Sequence, residues 1–146
     1  MREAKKKGVR SSMYKIPSKI EGKQFQLYKL EQLLKPKGYS IGGGWDYDQG
    51  YFDMKMANDD GYQFLRVPFT PVDGQLDTRG VVVQLGIPFI LNHVYQNDVD
   101  DDAGVGYAAA AFDQFAEPKD EDGNIPKKYI DYGKELVREL EHILFS

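Results

Sequence analysis

Gly42-Gly43-Gly44-Trp45-Asp46-Tyr47-Asp48 concentrates more potential chemistry than any other stretch of this chain. Consecutive glycines could cradle a phosphate, and paired carboxylates could serve acid–base work or a cation. Neither reading holds. Phosphate loops place glycines at set intervals ahead of a helix, whereas Trp45 to Met56 reads as strand. Asp46 and Asp48 point the same way on an extended chain and fall beside the turn Asp48-Gln49-Gly50. The glycines read as a bend or bulge where unusual backbone angles are needed.

Two further acidic clusters, Asp98-Val99-Asp100-Asp101-Asp102 and Asp120-Glu121-Asp122-Gly123-Asn124, raise the question of calcium. The first places Gly104 one position late for an EF-hand and has Ala109 where the bidentate Glu belongs; in the second the glycine comes too early. No metal site and no cofactor are expected. The two histidines are far apart in sequence. His142 sits near the chain end, where a helix C-terminus favours a cation. His93, in Leu91-Asn92-His93-Val94-Tyr95, follows the longest apolar segment and is the one candidate general base. Serine occurs only at 11, 12, 18, 40 and 146, with no Gly-x-Ser-x-Gly elbow. No residue is assigned a catalytic role.

Ten tyrosines among 146 residues shift attention from catalysis to recognition. Tyr and Trp bury large areas at low entropic cost. Trp45, Tyr47, Tyr51, Tyr62 and Arg66 form one candidate binding patch if the strands pair as outlined below. These aromatics lack interleaved Lys and Arg, which argues against single-stranded nucleic acid.

Composition narrows the classes further. There is no cysteine, so a disulfide framework, a thiolate nucleophile and a Cys-ligated zinc are excluded. Residues 1–12 carry five basic side chains and one acidic, whereas 13–146 carry 14 Lys+Arg against 22 Asp+Glu, a net of −8. An acidic body opposes a broad nucleic-acid surface. The basic residues 1–12 read as a disordered extension, and 13–146 as one domain. No apolar segment approaches the ~18 residues of a membrane span, and no secretory h-region follows the basic stretch. A cytoplasmic protein is expected.

The elements that would position these residues follow from periodicity. Tyr14 to Lys19 suits a short edge strand, with Pro17 tolerated there. Phe25, Leu27, Leu30, Leu33 and Leu34 predict a helix over about 23–35, stopped at Gly38. Strands are predicted at 39–47, 51–57 and 62–69, the second and third joined at Asn58-Asp59-Asp60-Gly61. Gly80 to Gln96 reads as one long strand or two bent ones, and 104–115 as a weak last strand. Asn124 and Pro126 open a closing helix whose apolar stripe is Ile130, Gly133, Leu136, Val137, Leu140, Ile143 and Leu144. Short turns favour antiparallel pairing. The fold class is α+β: a single twisted antiparallel sheet with an N-terminal helix and a longer C-terminal helix packed on one face.

The strand pattern carries one more inference. Leu65, Val67 and Phe69 make one face of their strand, and Tyr62, Phe64 and Arg66 the other. A sheet covered on one side should alternate apolar and polar, yet both faces are partly apolar. A second copy of the chain is the simplest cover, because two-fold dimers are the commonest oligomers.

The chain resembles the YugN-like family. The segments that carry the resemblance are Leu27-Tyr-Lys-Leu-Glu-Gln-Leu-Leu-Lys-Pro-Lys-Gly-Tyr39, Gly42 to Asp48, Gly61-Tyr-Gln-Phe-Leu-Arg-Val-Pro-Phe69, Gln75 to Arg79, and Tyr129 to Leu140. The resemblance runs from about Met13 to the C-terminus. It implies a bacterial, cytosolic protein and brings no reaction, ligand or catalytic residue with it. Together these readings favour a non-enzymatic cytosolic binding or interaction domain, homodimeric through its aromatic second face. The alternative is an enzyme with a sheet pocket near His93, Arg66 or Arg79.

Overall fold

The computed structural model describes residues 8–42, 46–57, 61–96, 120–121 and 125–145. Among them, eight strands form one sheet: β1 (Gly8–Lys15), β2 (Gln24–Gln26), β3 (Ser40–Gly42), β4 (Gly50–Ala57), β5 (Gly61–Pro71), β6 (Val82–Leu85), β7 (Phe89–Gln96) and β8 (Asp120–Glu121). Two α-helices accompany it, α1 (Leu27–Leu34), continued by a 3₁₀ turn over Lys35–Lys37, and α2 (Lys127–Phe145). The architecture is the expected α+β. Every strand pair is antiparallel except β1 with β8.

The sheet is creased. One edge of β5 pairs with β4; the other pairs with β7 over Gly61–Arg66 and with β6 over Phe69–Pro71. β6 and β7 are thus one bent strand, broken at Gly86-Ile87-Pro88, as the apolar run 80–96 suggests. The crease repeats in the next layer, where β1 pairs with β7 and β2 with β6. Backbone bonds hold the fold line: Gly86 N donates to Pro68 O at 2.8 Å, and Ile16 N to Pro88 O at 2.9 Å. β5 therefore runs through Pro68 and on to Pro71, two residues past the predicted end at Phe69. The N–H missing at Pro68 falls on the side where the partner strand bends, a place proline tolerates.

Three boundaries differ from the sequence reading. β1 begins at Gly8, so residues 8–12 belong to the sheet and not to a disordered extension. Its backbone pairs with β7 along its whole length, Gly8 against Gln96 through Lys15 against Phe89, so polar composition does not decide the matter. Nor is β1 an edge strand where β8 adds at Ser12 and Met13. The first helix starts at Leu27, not near Lys23, because Gln24–Gln26 pair with β6. β3 is described only to Gly42, and Asp46 to Gln49 form a turn closed by Asp46 N donating to Gln49 O. The strand expected at 104–115 and the cap at Asn124 lie outside the described residues.

One face of the sheet carries the core. Leu65, Val67 and Phe69 of β5 are buried with Phe52, Val83, Leu85 and Ile90 against Leu30 and Leu34 of α1 and Leu136, Val137 and Leu140 of α2. Phe52 and Phe69 meet at 5.0 Å between ring centres, and burying each such ring contributes about 1.5–3 kcal/mol. Gly133 sets how closely α2 approaches: a Cβ there would lie 2.6 Å from Ile90 Cδ1. One polar pair interrupts this core. Gln63 and Asn92, opposite each other on β5 and β7, share a bond of 2.9 Å from Nε2 to Oδ1 and pin the register.

Candidate functional site

Residues directly opposite in an antiparallel ladder point to the same side. The register therefore fixes what the outer face presents. One row holds Ser11, His93 and Tyr62; the next Met13, Leu91, Phe64 and Lys55; the next Lys15, Phe89, Arg66 and Asp53; the last Pro68 and Tyr51. Beyond the crease the same face continues with Thr70, Gln84 and Gln24, which are polar and exposed. Gln24 Nε2 donates to Gln84 Oε1 at 3.3 Å. The outer face thus divides into a mostly polar half on β2 and β6, in which Val82 is the half-buried apolar member, and an aromatic, apolar half on β1, β7, β5 and β4.

The aromatic half is organised around an ion pair. Arg66 donates from Nε to Asp53 Oδ1 and from Nη2 to Asp53 Oδ2, both at 2.9 Å. This two-point fork fixes the guanidinium plane, which lies 4.5 Å over the Tyr51 ring. Asp53 is only 7% exposed. On β5, Tyr62 and Phe64 stack at 6.1 Å with 19° between their planes. Tyr62 is 40% exposed, whereas Met13, two strands away on the same face, is 4% exposed.

His93 has a hydroxyl neighbour. Ser11 Oγ lies 2.8 Å from His93 Nδ1, so β1 and β7 are tied by side chains as well as backbone. Burial, and then the Arg66 charge, hold the imidazole below its ordinary pKa. A neutral imidazole beside a hydroxyl is the beginning of a nucleophile–base pair. Among the described residues, Asp53, a buried carboxylate of this face, is engaged by Arg66.

Of the five residues singled out as a patch, the sheet brings Tyr51, Tyr62 and Arg66 to one side. Tyr47 lies in the turn before β4; its N–H donates to Asp46 Oδ1 and its carbonyl accepts from Leu76 N. Trp45 lies outside the described residues. Arg79 is exposed in the loop between β5 and β6, and Asp46 and Asp48 are exposed. His142 lines a shallow hollow at the end of α2 with Lys19, Arg138, Glu141 and Phe145. There Ser18 Oγ donates to Glu141 Oε2, and Lys19 Nζ sits 5.3 Å from the Phe145 ring centre. Among the described residues, no group of three or more His, Asp and Glu is placed to hold a metal ion. The cluster at 98–102 lies outside them.

Sequence reasoning missed Asp53 and Ser11. Asp53 was recoverable: a hairpin centred between Asp59 and Asp60 puts Asp53 opposite Arg66, as observed. Ser11 required knowing that β1 begins at Gly8.

Residues 15–144 match the YugN-like family. Over 132 residues, 90% of this chain and 98% of the relative, the sequence is 51% identical to the uncharacterized protein YugN of Bacillus subtilis (strain 168). A shorter match, 30% identical over 83 residues, 57% of this chain and 69% of the relative, is to the uncharacterized protein YlbA of the same organism. Among solved structures, the uncharacterized conserved protein YugN from Geobacillus kaustophilus HTA426 superposes with a TM-score of 0.61 at 17% identity, covering 90% of this chain and 94% of that one. That likeness supports the fold alone. By sequence over nearly its whole length, the chain belongs to the YugN-like family.

Proposed function

We propose that this chain is a binding domain and not an enzyme, and that it binds through the aromatic half of its outer sheet face. The observation that carries the reading is the contrast across the crease. One half of the face is mostly polar, with Thr70, Gln84, Gln24 and Gln26 beside Val82; the other presents Tyr51, Tyr62, Phe64, Phe89 and Leu91 around a fixed Arg66–Asp53 pair. Rigid aromatics beside an immobilised guanidinium are the composition of interface centres. The partner proposed is a second copy of the chain, since a two-fold axis through this face would make it cover itself. A cytoplasmic location accords with the absence of cysteine. The acidic body accords with a partner that is not a nucleic acid. No helix among the described residues is long and apolar enough to cross a membrane. Native mass spectrometry of the wild type and of Phe64→Asp tests the reading: a pair of chains for the first and a single folded chain for the second.

A second reading rests on the Ser11–His93 contact, which could serve acyl transfer. A fluorophosphonate probe tests it. Labelling at Ser11 that vanishes in His93→Ala supports an enzyme; no labelling removes the reading.

A further inference from the structure

We draw no further inference here: the strongest candidate, the apolar half of the outer sheet face around Met13, Phe64 and Leu91, belongs to the site already described, and nothing in the structure shows what covers it.

Discussion

Asp53 and Arg66 face each other across β4 and β5 and meet in a two-armed contact, each arm 2.9 Å, with the guanidinium laid over Tyr51. The pair lies in the middle of the outer face, not at its rim. It holds an otherwise mobile cation flat among aromatic rings. Both the stability of the β4–β5 hairpin and the shape of the proposed binding surface depend on it.

Removing one partner leaves the other charge buried and uncompensated, which costs about 3–5 kcal/mol in a dry interior. Arg66 keeps some water contact, so Asp53→Ala is expected to lower unfolding free energy by about 2–3 kcal/mol. Arg66→Met leaves the more buried Asp53 carboxylate unpaired and should cost more, and the double variant less than the sum of the two. A double-mutant cycle by urea denaturation measures this; strictly additive losses would show that the two groups do not act as a pair.

Gly133 is expected to resist substitution. Alanine favours helix by about 1 kcal/mol over glycine, but its Cβ would lie 2.6 Å from Ile90 Cδ1. Overpacking of this kind costs about 1–3 kcal/mol, so Gly133→Ala should be destabilising despite the better propensity. Ile90→Val removes that Cδ1, and the double variant should recover part of the loss. Thermal melts of the four proteins decide it; a stabilised Gly133→Ala would mean that α2 shifts freely on the sheet.

Tyr39 is 3% exposed, and its hydroxyl is buried with no bonding partner among the described residues. Burial first, then Glu139 and Tyr132, hold its pKa above the ordinary value of 10.0. An unsatisfied buried hydroxyl costs about 1–3 kcal/mol. Tyr39→Phe is therefore expected to leave stability unchanged or raise it by about 1 kcal/mol. A loss of more than that on chemical denaturation would reveal a bond to this oxygen.

His93 makes stability depend on pH with a definite sign. Its folded pKa lies below the ordinary 6.5, so the folded state prefers the neutral ring. The associated stability is complete above pH 6.5 and is lost as pH falls from there through the folded value. Unfolding free energy measured at pH 7.5 and 5.5 should fall more for wild type than for His93→Gln, which carries no proton to take up. Equal slopes would place the imidazole in a solvent-like setting.

Much of the fold is legible in the sequence because its signals are periodic. The α2 stripe from Ile130 to Leu144, the alternation of Leu65, Val67 and Phe69, and the two-part apolar run from 80 to 96 each reflect a face that must be buried. The start of β1 and the whole of β2 are not legible for a common reason: Gly8–Ser12 and Gln24–Gln26 are polar or mixed, and become strands only because β7 and β6 offer free edges. The site divides the same way. Tyr51, Tyr62 and Arg66 are recognisable by residue type, whereas Ser11 enters only through pairing between residues 82 positions apart. Arg79 attracts notice by its charge, but its loop leaves it exposed.

Native mass spectrometry of freshly purified protein, run beside Phe64→Asp with circular dichroism to confirm folding, tests the binding face most directly. The outcome predicted is twice the 16.6 kDa chain mass for wild type and a folded single chain for the variant. A wild type that stays a bare single chain at every concentration, or a variant that still pairs, would contradict self-association through this face.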